Sequence, residues 1–117
     1  MQKNSVNKVF LVGHLGSDPE ARYTRAGRPT ASFSLATNES WLQQDGKQAE
    51  HTEWHSIVVW DKLAEFAQQY LYKGQLVSVE GKIHTRLWEN KDGKTGKSTE
   101  IICSALVPLE WKKKINQ

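Results

Sequence analysis

Two alternating stretches carry the chemistry open to this sequence. From Thr52 to Trp60, strand alternation puts Trp54, Ser56, Val58 and Trp60 on one face and His55, Ile57 and Val59 on the other. At roughly 3.3 Å per residue the two indoles stand about 20 Å apart. From Gln75 to Trp88, the even positions Lys82, His84, Arg86 and Trp88 line up opposite Ile83, Thr85 and Leu87. Rings interleaved with cations suit a flexible polyanion that exposes planar faces: stacking contributes roughly 1 to 3 kcal/mol per base while cations track phosphates. A core role competes with this for any single tryptophan, since Trp is highly buried on average. It fails for the set. Trp41 borders a polar loop, Trp60 sits beside a helix start, and Trp88 is flanked by Arg86, Glu89, Asn90 and Lys91. Trp111, between Glu110 and Lys112, reads instead as an anchor for the tail or as a ring with no specific role.

Most surface lysines are merely solvated, so the cations are ranked by nearness to the rings. Lys62, Lys73, Lys82 and Arg86 lead, and Lys8 and Arg22 complete the candidate phosphate contacts. Lys91, Lys94 and Lys97 fall on a hairpin, either an arm over a groove or a soluble turn. Catalytic readings find little support. His51 and His55 would share a metal only on a helix; on a strand they are about 13 Å apart. His14 and His84 lack a carboxylate or thiol partner, and Gly13-His14-Leu15-Gly16 lacks the Lys-Ser or Lys-Thr ending of a phosphate-binding loop. Cys103 lies in an apolar strand, where an inert structural thiol is the expectation. The sequence therefore predicts a binding protein with no enzymatic activity, no metal and no cofactor.

The elements that must position these residues follow from periodicity. Strands are expected over Lys8 to Leu15, Thr30 to Glu39 and Thr52 to Trp60, with turns at Asp18-Pro19 and Gly27-Arg28-Pro29 and a polar loop from Gln43 to Lys47. Leu63, Phe66, Ala67, Tyr70 and Leu71 share one helical face, with Asp61 the expected N-cap and Gly74 the expected stop. Strand pattern returns from Gln75 to Trp88, broken at Gly81, then a hairpin tip at Asp92-Gly93 and Gly96, then a strand from Ser98 to Leu106. This order predicts an all-β fold: a five-stranded OB-fold Greek-key barrel with one α-helix between strands 3 and 4, a favoured platform for oligonucleotides.

At 117 residues the chain is one domain's worth, expected over 1–109, with residues 110–117 a flexible basic extension ending in Lys112 to Lys114. The 16 Lys and Arg against 13 Asp and Glu, a formal +3, mildly favour polyanions. A single cysteine precludes an internal disulfide and points to a reducing, cytoplasmic setting. Nowhere do about 18 apolar residues follow one another, so no membrane association is expected.

The ordered segments NKVFLVGHLGSDPEARYT, ASFSLATNESW, TEWHSIVVWDKLAEFAQQYLYKGQLVSVEGKIHTRLW and STEI, spanning residues 7 to 107, resemble the bacterial single-stranded DNA-binding proteins. The resemblance implies an OB fold assembled as a homotetramer. Such a protein coats and protects single-stranded DNA at the nucleoid, without sequence reading, in replication, recombination and repair. Its stacking rings would be Trp41, Trp54, Trp60 and Trp88, position 60 being more often Phe. His55 matches a subunit-interface histidine. Ser56, Leu42, Leu87 and Tyr72 stand where Arg or Lys is expected, which implies fewer phosphate contacts and a flatter salt dependence. Relatives also carry a long flexible segment with an acidic tip that recruits repair and replication enzymes; this sequence stops at Gln117, as a shortened chain or a tailless member would, so those partners are not expected. The competing readings are a primosome-type accessory, a dimeric protein-interaction module on the same fold, and a single-stranded RNA binder.

Overall fold

The computed structural model describes residues 3–111. Strand β1 (Val9–Leu15) leads through a short β2 (Glu20–Tyr23) into β3 (Pro29–Leu42) and β4 (Gln48–Trp60). Helix α1 (Lys62–Tyr70) follows, then β5 (Leu76–Glu89) and β6 (Thr95–Pro108). β1 pairs antiparallel with both β5 and β3, β3 with β4, and β5 with β6. A short parallel contact of Ile57 and Val58 with Ile101 and Ile102 joins β4 to β6. Strands β1, β3, β4, β5 and β6 thus close a five-stranded barrel, with the helix between the third and fourth of them. This is the OB architecture expected from the element order.

Alternation builds the core. Ala31, Phe33 and Leu35 of β3 and Ile57 and Val59 of β4 point inward with Val77, Val79, Ile101 and Cys103, while Ala64, Ala67 and Leu71 close one end. Each fully buried Leu, Ile, Val or Phe contributes about 1.5 to 3 kcal/mol relative to exposure. No tryptophan is among the buried residues. The barrel is filled by aliphatic side chains and one phenyl ring, which leaves the indoles free for the surface.

Several elements differ from the periodicity reading. Strand β2 pairs with β3 from Glu20 opposite Ser32 to Tyr23 opposite Pro29, where only turns were expected. It is too short, and too polar on both faces, to leave an apolar alternation. β3 and β4 both run past the barrel as a polar two-stranded arm, closed by a loop in which Gln43 N–H donates to Lys47 O and Lys47 N–H to Asp45 Oδ1. Asp61 does not cap the helix through its side chain; its backbone takes φ 57° and its carboxylate turns to Arg28. The helix ends before Gly74, with Leu71 N–H donating to Ala67 O. Gly74 (φ 88°) instead serves the turn into β5, donating its N–H to Leu15 O. The register breaks between Glu80 and Gly81 as expected, but the extra residue is Ser104 on β6, whose hydroxyl donates to Glu80 O. Gly96 lies within β6 rather than at the hairpin tip, which Asp92-Gly93 forms alone.

Glu110 and Trp111, at the start of the expected extension, are tied to the barrel. Fully buried Gln75 donates from Nε2 to Glu110 O, the Glu110 carboxylate accepts Leu76 N–H, and Trp111 meets Tyr70 edge-on at 5.8 Å. The run Lys112 to Lys114 lies outside the described residues.

Candidate nucleic-acid interface

The outward faces of β2, β3, β4, β6 and β5 form one surface. Cross-strand pairing aligns Arg22 with Thr30 and Trp60 in one row, and Glu20, Ser32, Val58, Ile102 and Lys82 in the next. A groove lined by Arg22, Ser56, Val58, Trp60, Arg86 and Glu100 runs over it. Trp54 lines two neighbouring hollows that share Ser56 with this groove. Its ring rests on the backbone of Gly16, where a β-carbon would come 2.4 Å from Cζ3. A glycine there makes the seat, and the indole remains 59% exposed.

The arms carry the other two rings. Trp88 projects from the β5–β6 arm beside Leu87, Glu89, Thr95 and Lys97. Trp41, 48% exposed, sits on the β3–β4 arm opposite Ala49. Strand parity places Trp41 with Leu35 and Thr37, the alternation opposite to that of Ser32 and Ser34. The four rings therefore do not share one flat stripe.

The six candidate cations fall into two groups. Lys8 pairs with Glu80 at 3.2 Å, Arg22 with Glu20, and Arg86 approaches Glu100 at 4.0 Å. Lys62, Lys73 and Lys82 are exposed, with no carboxylate bound to their side chains among the described residues. Lys82 shares a hollow with Lys8, whereas Lys62 opens helix α1 and Lys73 follows its end. Exposed pairs are worth about 0 to 1 kcal/mol, so a phosphate can compete for the three paired cations. His55 is half-buried, its Nε2 2.9 Å from Thr37 Oγ1.

Sequence reasoning missed two constellations. His51 lies 2.9 Å from Glu53, two residues on along the same strand face. That hydrogen bond, and then the charge of His51, holds the Glu53 carboxyl below its usual range. The second is Arg28, whose guanidinium carbon stands 4.4 Å from the Trp60 ring centroid and whose Nε and Nη2 donate to Asp61 at 2.9 and 3.0 Å. The hydrogen bond from Arg28 lowers the Asp61 pKa and raises its own. Pairing of Thr30 with Trp60 is the signal that could have placed Arg28 there, but it needs the strand register. Burial pushes the Cys103 thiol up, away from nucleophilic reactivity. Among the described residues no group of three or more His, Cys, Asp and Glu is placed to hold a metal, and no helix is long and apolar enough to cross a membrane.

Comparison with known proteins decides what this surface belongs to. Residues 6–109 match the model of the single-strand binding protein family. The chain belongs to this family. It is 49% identical over 105 residues to single-stranded DNA-binding protein 1 of Chlorobaculum tepidum, covering 89% of this chain and 65% of that one. A single-stranded DNA-binding protein of Neisseria meningitidis is 46% identical over 105 residues, covering 90% and 60%. The chain thus spans less than two thirds of the length of these relatives. Among solved structures of the family, the Plasmodium falciparum SSB complex with ssDNA superposes with a TM-score of 0.81 at 37% identity, covering 94% of this chain and 100% of that one. A deletion mutant of the single-stranded DNA binding protein from Thermus aquaticus gives 0.77 at 31% identity, covering 90% and 51%.

Proposed function

We propose that this chain binds single-stranded DNA without reading its sequence, coating and protecting it in replication, recombination and repair, and performs no catalytic step. Bases stack on Trp41, Trp54, Trp60 and Trp88, and Lys8, Arg22, Lys62, Lys73, Lys82 and Arg86 contact phosphates. The observation that carries the reading is the exclusion of every tryptophan from the buried core while the barrel fills with aliphatic residues. Rings kept at the surface and bordered by cations suit base stacking. The similarity to a family member whose structure was solved in complex with ssDNA supports the same assignment.

We further propose a homotetramer with His55 at a subunit interface, acting in the cytoplasm at the nucleoid. In support, among the described residues β1 pairs with β3 at His14 and Leu15 alone, so its edge from Val9 to Val12 is open to a second copy. The neighbouring outward side chains Phe10 and Val107 are 65% and 53% exposed.

Titration of tryptophan fluorescence with oligo(dT), matched oligo(U) and duplex DNA tests the function. Strong quenching by oligo(dT), weaker by oligo(U) and little by duplex is expected. Equal quenching by oligo(U) would move the assignment to RNA, and weak binding to all three would make the rings structural.

A further inference from the structure

Arg28 belongs to none of the phosphate contacts assigned above, yet it is the most firmly placed cation near a stacking ring. It closes the turn between β2 and β3: its N–H donates to Thr24 Oγ1, its carbonyl accepts Thr24 N–H at 3.0 Å, and Gly27 takes the positive φ (82°) that the turn requires. Pro29 O accepts Asp61 N–H, which fixes the turn against the end of β4. The side chain then reaches across the Trp60 ring and is gripped by the Asp61 carboxylate along its Nε–Nη2 edge.

That grip leaves the terminal Nη1–Nη2 edge available, through both hydrogens of Nη1 and the second hydrogen of Nη2. Nη1 has no partner among the described residues, and the side chain is 55% exposed. A guanidinium over an aromatic ring, with one edge already paired, still presents a planar fork whose geometry matches two phosphate oxygens. Trp60 lines the groove with Arg22 and Arg86, whereas Arg28 lies over the same ring and does not line the groove. A base that stacks on the part of the indole facing the groove brings its sugar-phosphate within reach of that guanidinium. Arg28 pays little ordering entropy on binding, because Asp61 and Trp60 already fix its rotamer.

We propose that Arg28 is an additional phosphate-binding residue that clamps the backbone of the nucleotide stacked on Trp60, with Asp61 as the residue that positions it. This rests on the single-stranded DNA reading above. Asp61 screens the guanidinium at long range, so the contact acts at close quarters rather than by steering.

The test is fluorescence titration with oligo(dT) across a salt series, on the unaltered chain, Arg28→Gln and Arg28→Lys, with a melting curve for each. Arg28→Gln is expected to weaken binding roughly tenfold at low salt. Its log-log salt slope should be shallower by about 0.7, the value for one single-strand phosphate. Arg28→Lys should keep the slope but recover only part of the affinity, since it lacks the fork. Unchanged or tighter binding by Arg28→Gln with an unchanged slope would overturn the proposal, the guanidinium then merely covering the ring. Full recovery by Arg28→Lys would overturn the fork geometry. Should Arg28→Gln melt early, the affinity gap between Arg28→Lys and the unaltered chain decides alone. If the unaltered chain itself fails to bind oligo(dT), the single-stranded DNA reading falls and the clamp with it, an outcome distinct from failure of the variants alone.

Discussion

The indole of Trp88 covers Gly96, its partner across the β5–β6 arm: a β-carbon on that glycine would lie 2.1 Å from Cζ2 of the ring. Gly96 is thus a seat for a ring at the surface, and it lies in a strand interior, where Gly costs about 0.5 to 1 kcal/mol relative to Ala. Gly96→Ala should evict the indole without unfolding the barrel. We expect oligo(dT) affinity to fall several-fold while the melting temperature holds or rises slightly. Retained affinity would place Trp88 off the DNA path.

Trp54 separates stacking from packing, because its ring, seated on Gly16, remains 59% exposed. Trp54→Ala should cost roughly 1 to 3 kcal/mol of oligo(dT) binding. Its effect on folding should stay near the 0.5 kcal/mol scale of surface substitutions. Calorimetric melting alongside titration checks both; a stability loss as large as the binding loss would return this ring to a structural role.

Gly13 marks where the barrel shuts. A β-carbon there would lie 2.2 Å from the carbonyl oxygen of Ala36, next to the His14 to Ala36 pairing that joins β1 to β3. The obstacle is backbone, so a rotamer change cannot relieve it. Gly13→Ala should destabilise by about 1 to 3 kcal/mol or more in urea unfolding, and a neutral result would mean that β1 and β3 separate freely at this point.

Asp61 sets strain against an ion pair. Its φ of 57° with ψ of −123° is a conformation that suits glycine, costing about 1 to 3 kcal/mol for other residues. The ion pair of Asp61 with Arg28 is solvent-exposed and so contributes little. Strain wins, so Asp61→Gly should raise the melting temperature. The sign with pH follows from the lowered Asp61 pKa: its contribution is present above the ordinary value of 3.8 and is lost as pH falls through the lower folded value. The advantage of Asp61→Gly should therefore grow as pH drops below 3.8, and urea midpoints at neutral and acid pH read the difference.

Local patterning determined a large part of this protein. The alternation of Phe33 and Leu35, and of Ile57 and Val59, is a property of extended backbone, so it marked the strands, their inward faces and, by order, the barrel. The same alternation put Trp54 and Trp60 opposite that core. The 3.6-residue period of Leu63, Phe66, Ala67, Tyr70 and Leu71 did as much for the helix. Strand β2 and the far polar ends of β3 (residues 40–42) and β4 (residues 48–51) escaped it, because backbone pairing holds them and leaves no apolar period.

Only the tertiary structure decided how these pieces meet. Arg28 and Asp61 are 33 residues apart and come together through the pairing of Thr30 with Trp60. Gly16 lies under Trp54 because β1 crosses β3 at the closing point of the barrel. Trp41 takes the parity opposite to Trp54's row because β3 and β4 pair residue for residue along the whole arm, and Lys8 and Arg86 meet carboxylates on other strands that no spacing rule would assign. A strand's period is set within a few residues, whereas register and closure are set by all the strands burying one core together. Contacts between distant side chains inherit that collective choice.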